Sequence, residues 1–468
     1  MKISFKVKSK EKITTSDGSG EFQQFIDIDA LLERIKQIES ELGSPFKSSN
    51  RDNEAVIEKF TDWCKDSGAN FDKIKVQKLP GYDLGLVAKE NLKQDNIFIE
   101  IPESMIFSFK KIEDSLPISL RSVPLFAGMS HIRLAFALIV EKLNPKSLWK
   151  PYLDILPDKY RTCLYYSPSE MAELKGTAAL TSALKHRVFI ASQFAFLYKY
   201  INIVQDPHPI IQALKENFTY EFYCWAVSTI QTRQNVLPQG EKNEPESVLV
   251  PLWDLANHEN GTINTSLTIN ADNVKHIESY CLRDFAANEQ IFMCYGNRSN
   301  EDFLIHNGFV FQQNTNQNYS IKLSLSKADE LYEERVKLLT ALGVQPSGLF
   351  QISPELSSSM LGFVRVFNMN KDQLTQWIGN KNPKELLKVE LKLEKPLEQK
   401  ISMFLLIRVK LLLKSFPTTM EEDQAILESL NNTTVRLSSI KIMLIQYRIL
   451  EKMTLNNMLD KFTKQTTK

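Results

Sequence analysis

The sequence predicts an α+β protein: short β-sheets interrupted by a long helical insert and followed by an all-α C-terminal block. Three observations carry this. Short apolar or alternating runs bounded by turn residues occur early (KIKVQKL, LGLVAKE, NIFIEIP, SMIFSF) and again later (ESVLVPLWDL, SLTIN, HIESYCLRDF, QIFMCYG). Between them, residues 131–230 read as mostly helical, in HIRLAFALIVEKL, ALKHRVFIASQFAFLYKYI and TYEFYCWAVSTIQTR. After Phe311 a polar loop, QQNTNQNYS, and one strand-like run, IKLSL, lead into helices that continue to the end.

Taken in order, residues 1–50 are polar and form a flexible leader, with one amphipathic piece, IDIDALLERIKQIESEL, able to form a helix by itself. A main domain is expected over residues 51–320 and a helical domain over residues 321–468. The main domain opens with a short helix near residues 54–67, which puts Val56, Phe60 and Trp63 on one face. In the helical domain, ISMFLLIRVKLLL contains Arg408 and Lys410 and falls short of the about 20 apolar residues a membrane span needs, so it reads as a buried helix. Thr418-Thr419-Met420-Glu421 reads as a capping box, a hydroxyl and a carboxylate satisfying each other's backbone donors.

Composition narrows the function classes. Apolar residues at 43% and charged residues at 24% suit an ordinary globular chain, and a net charge of +1 argues against a general nucleic-acid surface. The five cysteines are scattered, with no CxxC or Cys/His zinc spacing, so neither a disulfide framework nor a metal is expected. MKISFKVKSKEK is basic but lacks the apolar core of a secretory signal. The expectation is a cytoplasmic monomer, with the nucleus as a further location, and no membrane partner.

One stretch stands out. VPLWDLANHENG places Asp254, Asn257 and His258 within five residues in an apolar segment. Buried polar groups need partners, so the cluster calls for either a local cap or a ligand. Asn257-His258 alone suits a helix cap or turn, Tyr295-Gly296 alone a strand end, and Arg233 alone a solvated helix terminus. Four pieces in order change that reading: LGL at Leu84, TRQN at Thr232, WDLANH at Trp253 and EQIFMCYGNRSN at Glu289. Together they resemble the SET-domain methyltransferases. The long insert and the helical C-terminal block resemble the branch of the Rubisco large-subunit methyltransferase, and within it the actin-histidine methyltransferases. The resemblance runs from about Arg51 to the end of the chain.

The resemblance implies S-adenosyl-L-methionine as cofactor, actin as protein substrate, and transfer of a methyl to the distal ring nitrogen of a histidine. Methyl transfer from a sulfonium is an in-line displacement that needs a positioned nucleophile and no metal. By resemblance, Asp83, Leu84 and Gly85 lie along the cofactor, Arg233 pairs with its carboxylate, and Asp254, Leu255, Ala256, Asn257 and His258 form the opposite wall. Arg51 is the nearest candidate for a second cofactor arginine, and Asn307 stands near the adenine where close relatives often carry Ser. The loop GYDLGL departs from the usual G-x-G, its first glycine being displaced. Tyr295 is the expected catalytic tyrosine. Gln234, Trp253, Met293 and Arg298 are expected to meet the substrate.

Two positions bear on the acceptor. Lysine-methylating relatives tend to carry an aromatic residue at Asn235 and a small one at Trp253. A neutral imidazole attacks through one nitrogen while the other keeps its proton and needs an acceptor, which an Asn side-chain oxygen supplies. Asn235 therefore joins Tyr295 as a catalytic candidate, although it equally suits a cap on the preceding helix. A protein-lysine methyltransferase and a catalytically silent scaffold are the alternatives. Asn235 and Trp253 argue against the first, and the presence of Tyr295, Asn257 and His258 against the second.

Overall fold

The computed structural model describes residues 19–42, 50–239, 244–269, 275–353, 355–430 and 436–466. Its strands are β1 (Ile74–Lys78), β2 (Leu84–Ala88), β3 (Ile97–Pro102), β4 (Asn235–Gln239), β5 (Glu244–Val248), β6 (Asn257–His258), β7 (Thr265–Ile269), β8 (Lys275–Tyr280), β9 (Gln290–Met293), β10 (Tyr319–Ser324) and β11 (Ser347–Ile352). They form four small sheets, β1-β2-β9-β6, β3-β8-β7, β4-β5 and β10-β11. All pairings are antiparallel except β6 with β9. That parallel contact sets Asn257 opposite Phe292 and His258 opposite Met293, so the polar pair of one motif meets the chain just before Tyr295.

The insert lies between β3 and β4. Its helix Tyr220–Arg233 is buried nearly all round, from Tyr220 to Ile230, and Ser130–Leu143 packs against it. Helices apolar on every face are core elements. Together with the sheets they make one core running from Leu32 to Met293, and a second core from Tyr319 to Phe462 holds the C-terminal helices together. A third cluster joins Phe25, Tyr166, Leu304 and Tyr447 across the two.

Several sequence expectations are corrected. Residues 19–42 of the leader are not flexible chain: Ser19–Leu42 is a helix docked on the insert. Phe25 is fully buried, Asp29 pairs with the buried Arg187 at 2.8 Å, and Glu39 accepts the Tyr220 N–H at 3.0 Å. Residues 1–18 and 43–49 lie outside the described residues. SMIFSF is not a strand. It forms the 3-10 turn Glu103–Met105 and a single bridge from Phe107 to Leu249, and then enters the helix Phe109–Glu113. A continuous apolar run buried on all sides carries no period to distinguish these outcomes. The capping box lies one residue later: Thr419 caps Met420–Ser429 with Glu422, while the Thr418 hydroxyl donates to Asp423. Lys395–Ser415 buries Leu405 and Val409 but leaves Met403, Ile407 and Leu411 exposed.

Several buried charges are paired, which offsets their desolvation. On the last helix, Ser439–Thr466, Arg448 bonds Asp423 and Glu173, and Lys452 bonds Asp423 at 2.6 Å. Glu173 belongs to the insert, so this network ties the C-terminal helices to it.

Candidate active site

Four backbone turns bring the motifs together. The helix Tyr220–Arg233 ends at Gln234, and Asn235 begins β4 rather than capping the helix. Leu252, with φ +72° and ψ −52°, has the strained left-handed backbone that leucine rarely adopts and delivers the chain into the 3-10 turn Trp253–Leu255. Gly296, at φ +91°, turns the chain sharply after Tyr295, in a region that favours glycine. Phe303–Asn307 is a single π-helical turn, a form frequent at functional sites.

The most buried part of the site is a charged corner. Arg233 Nη1 donates to the Asp254 carbonyl at 2.6 Å and lies 3.5 Å from Asp254 Oδ1. Arg51, 8% exposed, pairs with the exposed Asp83 at 3.7 Å. Burial, and then the field of the Arg233 guanidinium, lower the Arg51 pKa, so the two cations feel each other. Burial raises the Asp254 carboxyl against the opposing pull of Arg233 and of the Tyr152 hydroxyl, which donates to Oδ2 at 2.6 Å. The buried Nε atoms of Arg51 and Arg233, Oε1 of Gln234 and Nδ2 of Asn257 have no hydrogen-bond partner. Such atoms are costly to leave unsatisfied; Arg51 lies within the field of Arg233, and Asn257 Nδ2 faces Gly85.

Gly85 forms its floor. A Cβ at that position would stand 2.5 Å from Leu79 Cδ1 and 3.0 Å from Asn257 Nδ2. Leu84, Leu255 and Ala256 are buried behind it, and the Ala256 carbonyl accepts the Tyr295 hydroxyl at 2.7 Å. Burial pushes the Tyr295 phenol up to about 12, so it stays protonated near neutrality. The Tyr295 N–H donates to Nδ1 of His258 at 3.2 Å. His258 is pressed against Phe303 and Phe311, and burial drives its pKa down to about 4.

On the acceptor side, Asn235 Nδ2 points to the Arg233 carbonyl at 3.4 Å, turning Oδ1 away from it. The Trp253 indole N–H donates to the Thr265 hydroxyl at 3.0 Å, which fixes the ring. The Arg233–Asp254 contact ties the strand bearing Asn235 to the turn bearing Trp253.

Two residues expected to meet the substrate have partners within the chain. Met293 is 1% exposed inside the main core; alternation along β9 leaves Phe292 half-buried on the opposite face. Arg298 does not stand free: its guanidinium donates to Asn307 Oδ1 at 3.0 Å, joining two residues assigned to opposite ends of the site. Sequence reasoning missed Tyr152, Thr265 and Tyr160, whose hydroxyl meets Thr229 at 2.8 Å beside Arg233. A recess of about 570 Å³ near Thr418 and Lys452 lies in the C-terminal helices, away from these motifs.

A SET domain family model matches residues 83–296, and a Rubisco LSMT substrate-binding model matches residues 326–455. The actin-histidine N-methyltransferase of Xenopus tropicalis is 33% identical over 440 residues, covering 92% of this chain and 74% of its own length. That of Gallus gallus is equally similar, with 73% of its length covered. A crystal structure of the SET domain of LSMT bound to lysine and AdoHcy matches with a TM-score of 0.70 at 19% identity, over 88% of this chain and 92% of that one. Rubisco LSMT bound to AdoMet matches with a TM-score of 0.69, also at 19% identity and over the same shares. With SET motifs assembled at one site and this similarity along nearly its whole length, the chain belongs to the SET-domain actin-histidine N-methyltransferase family.

Proposed function

We propose that the protein uses S-adenosylmethionine to methylate the distal ring nitrogen of a histidine in actin. The observation that carries this reading is the Asn235 amide, whose Nδ2 points to the Arg233 carbonyl and whose oxygen turns the other way, in a chain whose relatives are named actin-histidine N-methyltransferases.

The residues fit the cofactor. Its carboxylate suits the paired guanidinium groups of Arg51 and Arg233, whose Nε atoms lack partners. Asn257 Nδ2 offers a further donor beside Gly85, which leaves room for a close approach. Leu255, Ala256 and His258 wall this side. Asn307 and Asp83 lie at its ends. When bound, S-adenosylmethionine supplies a sulfonium methyl for in-line displacement.

The chain's own groups set the geometry of attack. Asn235 accepts the N–H of the substrate's proximal ring nitrogen and leaves the distal lone pair aimed at the methyl. Trp253, held by Thr265, supplies a flat wall for the imidazole, and Gln234 lies next to it in the chain. Tyr295 keeps its proton on the Ala256 carbonyl and turns its oxygen lone pairs toward the transfer path. It is a neutral polar group there, not a base. Neutral His258 holds the Tyr295 backbone from behind. The methylated ring then gives its remaining proton to solvent. The C-terminal helices bind the folded substrate.

The enzyme acts as a monomer in the cytoplasm or nucleus, without nucleic acid or membrane. In support, the net charge is +1, and no helix of the described residues is long and apolar enough to cross a membrane. The test is incubation with methyl-labelled S-adenosylmethionine, first with purified actin and then with a whole-cell lysate, followed by mass spectrometry. Label on a single actin histidine is expected. Label on lysine would replace this reading with the lysine alternative, and no label would favour the silent scaffold.

A further inference from the structure

We infer that Tyr152, in the helical insert, is a positioning residue for the carboxylate end of the cofactor site, acting through Asp254 on Arg233. The inference rests on the cofactor reading above. Tyr152 sits on the short helix Lys150–Ile155, which packs on Glu54–Asp66, the helix that begins just after Arg51. The phenol is fully buried and faces Phe60 at 6.4 Å between ring centres. Its hydroxyl donates to Asp254 Oδ2 at 2.6 Å, across 102 residues of chain. The Asp254 side chain is itself only 1% exposed.

Asp254 has two tasks. Its carbonyl fixes Arg233 Nη1, and its carboxylate balances the charge of that guanidinium at 3.5 Å. A buried carboxylate keeps its charge only when its oxygens are satisfied. Oδ1 has no hydrogen bond, so Tyr152 supplies the only one made to this carboxylate among the described residues. Without that hydroxyl, Asp254 gains a reason to take up a proton. Arg233 then faces Arg51 with its counter-charge gone, and the two guanidinium groups lose their common aim. Tyr152 bonds Asp254, and Asp254 bonds Arg233, so its electrostatic influence on the guanidinium runs through Asp254.

The test separates the two ends of the ligand. S-adenosylhomocysteine carries the amino-acid carboxylate, and 5′-methylthioadenosine lacks it. Calorimetric titration of the full chain should show Tyr152→Phe weakening S-adenosylhomocysteine about 5- to 50-fold while 5′-methylthioadenosine changes less than about twofold. The KM for S-adenosylmethionine should rise in proportion, and saturating cofactor should restore turnover. Asp254→Asn, which keeps the shape and removes the charge, should show the same selective loss. Tyr152→Phe added to Asp254→Asn should then cost less than about twofold more, because the two act in series. Equal losses for both ligands would make Tyr152 a packing residue and overturn the inference, as would unchanged binding of both. If the unmodified chain binds neither ligand, the cofactor reading fails, and this inference with it.

Discussion

Replacing Asn235 with Ala tests the acceptor assignment most directly. Among the described residues its side chain makes one weak local hydrogen bond, Nδ2 to the Arg233 carbonyl at 3.4 Å, so truncation removes little that holds the fold. What it removes is an acceptor for the imidazole N–H. A hydrogen bond of this kind is worth about 1–3 kcal/mol when its loss leaves a buried donor bare. Asn235 is half-buried, so water partly replaces the lost oxygen, and the lower part of that range applies: about 1–2 kcal/mol. If the contact is made in the transition state, the methyl-transfer step slows about 5- to 30-fold. The assay is single turnover with excess enzyme on actin, read by mass spectrometry, alongside calorimetric titration of S-adenosylmethionine. A companion assay uses paired actin-derived peptides bearing His or Lys at the target position. Unchanged histidine methylation in Asn235→Ala would refute the role, and so would a wild-type preference for the lysine peptide. An equal loss of cofactor affinity would assign Asn235 to the cofactor wall instead.

Tyr295→Phe should lower turnover on the order of a hundredfold, the scale of losing one preorganised polar group at a reacting centre. Cofactor affinity should stay within about threefold, and a normal single-turnover rate would contradict the assignment. Gly85→Ala puts a Cβ 3.0 Å from Asn257 Nδ2, so calorimetry should show cofactor binding weakened about tenfold with the fold intact; undiminished affinity would remove Gly85 from the site. Glu451 is fully buried, with Tyr447 and the Ala178 N–H on its carboxyl, and burial raises its pKa from 4.5 to about 8. Because the folded value is the higher one, its stabilising contribution is full below pH 4.5 and is lost as pH rises to about 8. Urea midpoints of Glu451→Gln should therefore lack a fall of about 1.4 kcal/mol per pH unit that the wild type shows over that window. Parallel curves would show that Glu451 does not take up a proton on folding.

What was legible in the sequence were groups whose chemistry and backbone setting are local. Asn257-His258, Tyr295-Gly296 and Arg233 each suit a cap, strand end or helix terminus alone, but they sit in short contiguous motifs whose order carries the resemblance, and the alternating strands around them have a readable period. What was not legible acts across long separations. Met293 is two residues from Tyr295, yet strand alternation sends it into the core. The leader helix looked able to stand alone, but its docking depends on Asp29 meeting Arg187, 158 residues away. Tyr152 reads as one more aromatic in a helical insert until the fold sets it on Asp254. These distant residues share a physical role, because the corner they build is unfavourable by itself. It holds two guanidinium groups and one buried carboxylate, while Asp83 is largely exposed and screened. That leaves a net positive charge in a desolvated place, with donor atoms unsatisfied on both arginines. A bound carboxylate would relieve both costs at once. Folding stability and ligand binding are thereby linked, so at equal free concentration a ligand carrying that group, which binds more tightly, should raise the unfolding temperature more than one lacking it.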